Sequence, residues 1–222
     1  MFKISDKYFM ETNMKIDITS IENKLNDSSI SEFSQIIINA VESFIGTIQS
    51  FEALKEDTFT FEDNVAEKFI NSHSSMLSEK IQNDEALQVL DALRYAFVGY
   101  AFNGLHQLYT RQENQCWGPK IILTEVLTPN DISSLDQDVK LYRGCDIVEH
   151  KRGRYGQAWT TSLQVAKDFA YTHYQGQEWF DTESRVVLET IYSRDNILFS
   201  DQSVEFEVVV DVSKLGKVNK HS

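Results

Sequence analysis

Apolar residues recur at spacings of three and four through the first half of the chain, and alternate or run together in short stretches through the second. The pattern therefore predicts helices followed by strands. Residues 1–28 are polar and mixed, ending in Asn26-Asp27-Ser28-Ser29, a cluster suited to capping a helix N-terminus. The helix predicted after it carries Ile30, Phe33, Ile36, Ile37, Ala40, Val41, Phe44, Ile48 and Phe51 on one face. A second helix is expected from near Thr60, using Phe61, Val65, Phe69, Met76 and Leu77, with a break near Ser72-His73-Ser74-Ser75. A third begins after Asn83-Asp84 and extends to about Gln112 on a stripe of Ala86, Leu90, Leu93, Phe97, Tyr100, Gly104, Leu105 and Leu108.

The character changes around Cys116-Trp117-Gly118-Pro119. Beyond it, β-branched and aromatic runs predict strands at 120–126, 139–143, 157–161, 185–192, 197–199 and 204–211. One helix interrupts them, opening at Ser162 and using Val165, Ala166, Phe169 and Ala170. The fold class is read as α+β, with a helical region at 1–115 and a mainly β region at 116–222.

A chain of 222 residues fits one large domain or one domain with a helical extension. The formal net charge of -13 gives no general footprint for a phosphate backbone. The local exception is His150-Lys151-Arg152-Gly153-Arg154, which reads equally as a solvated loop or as a basic patch. Two cysteines, Cys116 and Cys145, make no disulfide framework and suit a reducing compartment. Residues 1–14 show no apolar secretory segment, and no apolar run is long enough to span a bilayer. The expectation is a cytoplasmic protein, or one delivered into another cell by dedicated machinery, without membrane association. The five histidines are dispersed and no cysteine–histidine spacing suits a metal, so no metal is expected; His106 and His173 read as ordinary helix residues. No phosphate loop or dinucleotide glycine fingerprint occurs.

Three segments carry the candidate chemistry. Val139-Lys140-Leu141-Tyr142-Arg143 precedes Gly144, and alternation puts Val139, Leu141 and Arg143 on one face. An arginine among apolar neighbours needs an anion, either an internal carboxylate in a structural ion pair or a phosphate or ribose in its fork. Gly144 permits close backbone approach. Trp159-Thr160-Thr161-Ser162 joins a strand end to a helix start, and its three hydroxyls exceed what one cap requires. Glu205-Phe206-Glu207 lies in an apolar run, so on a strand both carboxylates share a face. Such a pair repels unless it meets water or a cation.

In this order the segments resemble the mono-ADP-ribosyltransferase superfamily, in the Arg–Ser–Glu branch of the cholera-like and binary-type toxins. The resemblance covers roughly residues 139–211. It implies a split pair of small antiparallel sheets with NAD, a substrate here, in the cleft between them and helices flanking. It assigns Arg143 to the NAD phosphate or ribose and Gly144 to the nicotinamide amide. Thr160, at the family's serine position, would orient Glu207, with Thr161 and Ser162 beside it. Glu207 becomes the catalytic glutamate and Glu205 the acid serving the acceptor. The segment from His173 to Ser184 would cover phosphate and nicotinamide, with Phe169, Tyr174, Trp179 and Phe180 as the aromatic candidates for the ring.

The expected activity is transfer of ADP-ribose from NAD to an arginine of a target protein, by a toxin or effector. The alternatives are transfer to a nucleic acid, as in toxin–antitoxin or phage-related enzymes, hydrolysis of NAD, or a binding module without catalysis. The helical half is expected to shape target binding or to meet an antitoxin or inhibitor.

Overall fold

In the computed structural model the described residues are 9–11, 14–54, 65–101, 117–178 and 180–221. They divide into two compact units, between Ile122 and Leu123. The helical-then-strand order makes an α+β protein with antiparallel sheets.

The first unit begins with β1 (Met10–Glu11) and β2 (Met14–Ile16), an antiparallel pair. A helix that the polar composition hid follows. This is α1 (Ile18–Leu25), capped by the Asp17 carboxylate on the Thr19 amide at 3.0 Å and burying Ile21 and Leu25. Asn26 caps its C-terminus, so the Asn26–Ser29 cluster ends α1 and turns the chain rather than opening the next helix directly. The long helix α2 (Ser34–Leu54) buries Ile37, Ala40, Val41, Phe44 and Ile48 of the predicted stripe, with Ile45 beside them and Ile36 only partly buried. Next, α3 (Val65–Ser78) runs through the Ser72–Ser75 cluster without the expected break. Ser74 is itself buried and continues the Ala66–Ile70 stripe at four-residue spacing, so a small polar residue stands where the helices pack closely.

The Asn83 side chain accepts from the Ala86 amide at 2.9 Å and starts α4 (Asp84–Ala101), which buries Val89, Leu90, Leu93 and Phe97. The Phe97 ring meets Phe44 at 6.1 Å and Phe9 at 5.9 Å. Each buried phenylalanine contributes on the order of 2–3 kcal/mol. The predicted start near Thr60 and the extension to Gln112 fall outside the described residues. Strand β3 (Ile121–Leu123) joins β1 and β2 and is shorter than the predicted 120–126.

The second unit is built on six antiparallel strands: β4 (Asp138–Asp146), β5 (Ala158–Thr160), β6 (Arg185–Ser193), β7 (Ile197–Asp201), β8 (Glu207–Val210) and β9 (Asn219–Lys220). Two helices join them, α5 (Ile147–Arg152) and α6 (Leu163–Tyr171). The sheet order is β7-β8-β5-β4-β6-β9. Pairing is uneven. Register pairs link β4 to β6 over its whole length, Asp138↔Ser193 to Asp146↔Arg185, whereas β4 and β5 share one pair, Tyr142↔Thr160. The sheet is therefore two three-stranded halves joined at a narrow seam.

One face carries a core of Val139, Leu141, Cys145, Trp159, Leu188, Tyr192, Val208 and Val210. Helix α6 covers the other, with Ala166 and Ala170 against Val187 and Tyr142. Gly144 makes that packing possible. A Cβ there would press into the Ala166 carbonyl oxygen and lie 2.5 Å from the Ala170 nitrogen, both backbone atoms of α6.

Gly144→Ala is accordingly expected to destabilise the fold by about 2–4 kcal/mol in a denaturant titration. Gly176→Ala, where a Cβ meets nothing within 4 Å, serves as the comparison. Equal stability of the two variants would show that α6 does not rest on Gly144.

Candidate active site

The register brings the three candidate segments onto neighbouring strands. Tyr142 on β4 lies opposite Thr160 on β5, and Thr160 lies opposite Glu207 on β8. The line continues outward to Asp201 on β7 and to Glu189 on β6. Paired residues in an antiparallel sheet project from the same face, so Tyr142, Thr160, Glu207 and Asp201 form one polar row across the seam.

Arg143 belongs to the opposite face of β4, with Val139, Leu141 and Cys145, as the alternation predicted. It is 6% exposed and its fork is filled. Nε and one terminal nitrogen donate to the two Glu149 oxygens at 3.0 and 2.8 Å, and the other donates to the Ala158 carbonyl at 2.6 Å. Of the two anions the sequence left open, the internal carboxylate is the one present. Glu149 sits on α5, which opens with the Asp146 side chain accepting from Val148 at 2.7 Å. The basic run after it is the end of this helix, not a loop. Gly153, at φ 61°, closes the helix, and Lys151, Arg152 and Arg154 are exposed. Cations at a helix C-terminus suit its dipole.

The hydroxyl cluster has three separate tasks. Ser162 caps α6 by accepting from the Val165 amide at 3.3 Å. Thr161 donates to the Gln202 side chain at 2.7 Å. Thr160 donates to the Glu205 carbonyl at 2.8 Å and accepts from the Ser162 amide at 3.0 Å. Thr160 was expected to orient the Glu207 carboxylate; instead its one hydroxyl proton goes to the Glu205 backbone, and its relation to Glu207 is through strand register.

Glu205 is not on a strand. Strand β8 starts at Glu207, and Phe206 takes the left-handed conformation, φ 51°, which breaks the alternation that would align the two acids. The Thr160–Glu205 bond and the Thr161 amide, which donates to the Phe206 carbonyl at 3.0 Å, fix that turn. Glu205 and Val204 are exposed beside it.

Burial pushes the Glu207 carboxyl up to about 7, with further contributions from the negative charges of Glu205 and Asp201. A half-protonated carboxylate near neutral pH can exchange a proton or stabilise an adjoining cation.

On the covered side, Phe169, His173, Tyr174 and Phe180 form one aromatic cluster. Ring centroids are 4.9 Å apart for Phe169 and His173, 4.8 Å for His173 and Tyr174, and 6.1 Å for Tyr174 and Phe180. The Arg185 guanidinium lies 5.3 Å from the Phe180 ring centroid. His173 stands in the turn after α6 rather than in a helix. Trp179 lies outside the described residues. Gly144 has the α6 backbone against its Cα, which accounts for a glycine there independently of any ligand.

The functional residues that pattern reading missed are Glu149, Asp201 and Gln202. An acid six residues beyond a buried arginine was a visible signal for Glu149; nothing local marked the other two. Among the described residues no group of three His, Cys, Asp or Glu side chains is placed to hold a metal, and no helix is long and apolar enough to cross a membrane. No protein-family model, curated protein or solved structure matches the chain.

Because Glu207 is harder to ionise in the fold than in the unfolded chain, its contribution to stability is full below the ordinary glutamate range. That contribution is lost as pH rises through about 7. Glu207→Gln should therefore match the parent near pH 4 and exceed it by about 1–3 kcal/mol near pH 8 in chemical denaturation. A stability difference that does not change with pH would rule out a raised Glu207.

Proposed function

We propose that the chain is an NAD-dependent mono-ADP-ribosyltransferase acting on an arginine of a target protein. One observation carries the reading: three segments far apart in sequence meet in register at a sheet seam, Tyr142–Thr160–Glu207, and they are the segments whose order resembles that enzyme superfamily. The division of the sheet into two three-stranded halves supports it, since the resemblance implies a split antiparallel core.

The donor side fits the electrostatics. The substrate would supply a nicotinamide–ribose bond that breaks heterolytically, with the electron pair leaving on nicotinamide and positive charge developing on the sugar. Glu207, partly buried and crowded by Glu205 and Asp201, gains from a cation beside it. That cation lowers its pKa, keeps it ionised and is itself stabilised. Arg143 stands behind the Tyr142–Thr160–Glu207 row, on the opposite face of β4 with Glu149 in its fork, and supports the donor side by holding the strand that carries Tyr142. Phe169, Tyr174 and Phe180 are the described aromatic surfaces for a planar ring.

The acceptor side favours a cation over a polyanion. Glu205 and Asp201 are exposed carboxylates, and exposed Val204 and Phe206 flank Glu205. A guanidinium, protonated up to a pKa above about 12, is attracted there and requires a base as it attacks the anomeric carbon. Glu205 takes that proton. The nucleic-acid alternative rests on Lys151, Arg152 and Arg154, whose exposure at the end of α5 provides a local positive surface.

The test is incubation with NAD labelled in its ADP-ribose part and a cell lysate, followed by separate protease and nuclease digestion. Label released by protease alone supports the protein acceptor. Label released by nuclease alone moves the activity to nucleic acid, and free ADP-ribose without labelled macromolecule makes the protein a hydrolase. Glu207→Ala should abolish every form of turnover. Glu205→Ala should lose transfer while keeping some hydrolysis. Full activity in Glu207→Ala would remove the site assignment.

A further inference from the structure

Glu205 and Glu207 are separated by a turn of left-handed backbone, and something must fix one acid relative to the other. The Gln202 side chain is placed to do so. Its oxygen accepts from the Thr161 hydroxyl at 2.7 Å. Its nitrogen donates to the Glu207 carbonyl and to the Ser200 hydroxyl, both at 3.1 Å. Its backbone amide donates to Asp131 Oδ2 at 2.8 Å, and the Asp131 amide in turn donates to the Ser200 carbonyl at 3.1 Å. One amide side chain thus uses its acceptor and its donors on the end of β5, the start of β8 and the end of β7. A primary amide suits this position because it offers an acceptor and two donors without charge.

We propose that Gln202 is a positioning residue that sets the geometry of the two acids, with Thr161 and Asp131 as its anchors. Its function follows from where the bonds go. Two of its contacts fall on Ser200 and Glu207, which bracket the 201–206 segment. The Thr160 bond to the Glu205 carbonyl is the remaining side-chain tether of that loop toward β5. Releasing Gln202 leaves the turn held only by the Thr160 bond to the Glu205 carbonyl and the Thr161 amide bond to the Phe206 carbonyl, so the acceptor-side acid gains freedom while Glu207 keeps its strand pairing to Thr160. This deepens the transferase reading and rests on it for the acceptor step, but the placement of Glu207 is measurable without any substrate.

The charged groups facing Glu207 are Asp201 on β7 and Glu205 in the loop, with the uncharged Thr160 opposite on β5. Gln202→Glu keeps the length and the acceptor for Thr161 but replaces the donors to Glu207 and Ser200 with a negative charge. Gln202→Ala removes the tether. Thr161→Val removes only the anchor.

NMR titration of the labelled glutamate carboxyls reads the placement. Gln202→Glu should raise the Glu207 midpoint by about one pH unit, while Gln202→Ala and Thr161→Val should lower it as Glu205 moves away and water enters. Transfer to a small guanidino compound should fall about tenfold more than NAD hydrolysis in Gln202→Ala. Unchanged midpoints in folded Gln202→Glu and Thr161→Val would overturn the proposal. So would equal loss of transfer and hydrolysis in Gln202→Ala with its midpoint unmoved. If the midpoints shift as described but the parent protein turns over no NAD, the positioning stands and the transferase reading falls.

Discussion

The guanidinium of Arg143 pins the seam on which the site depends. Between β4 and β5 the backbone supplies a single register pair, so the halves of the sheet need a further link. Arg143 supplies it from β4, reaching the Ala158 carbonyl on β5 and gripping Glu149 on α5. Glu149 also accepts from the Gly156 amide at 3.3 Å, just ahead of β5. A charge this deeply buried is tolerable because every side of the fork is answered by an oxygen. Were it not, the cost of desolvation would drive the halves apart, and with them the alignment of Tyr142, Thr160 and Glu207. The arginine on which the resemblance would seat a substrate is thus a structural one in this fold, its fork occupied by Glu149 and the Ala158 carbonyl.

Around Glu207 the structure does the reverse. Three carboxylates, Asp201, Glu205 and Glu207, are kept near one another; Ser203 relieves Asp201 through its amide and hydroxyl, while burial and the two neighbouring charges push Glu207 up. The arrangement is unfavourable in the resting fold and becomes favourable when a cation arrives. Phe206 in left-handed backbone adds a second local cost at the same place. Unfavourable groups concentrated at one edge of an otherwise consistent core set this edge apart from the rest of the sheet as the candidate site.

How far the sequence reveals this varies with the range of the forces involved. Helix stripes were legible because α2 and α4 run for several turns, so the period repeats. The six-residue α5 and eight-residue α1 are too short for a period to show. The face of Arg143 followed from alternation within β4. Ser162 was legible as a cap because capping is local. Glu205 was misplaced because its departure from β8 is imposed by Thr160 and Thr161, residues more than forty positions earlier. Gln202 gave no local sign for the same reason: its partners Thr161 and Asp131 stand 41 and 71 residues away.

The choice of neutral groups to hold the 201–206 loop follows from the field they must not disturb. Thr160, Thr161 and Gln202 tie down residues 201–206 through hydroxyls and an amide. A lysine or arginine in their place would bind the same carbonyls more strongly, since charged hydrogen bonds exceed neutral ones. It would also lie beside Glu207 and Glu205 and draw both carboxyls down, cancelling the repulsion that makes the pair receptive to a cation. At the seam the requirement is opposite: a buried arginine needs neutralising, and Glu149 does so at short range. Two kinds of tether therefore serve one sheet, an ion pair where charge must be silenced and neutral bonds where charge must remain available. The same logic explains why the acids occupy a loop and a strand end instead of a strand face. On one face of β8 they would be held at a fixed spacing, whereas across the Phe206 turn their separation is set by the tethers.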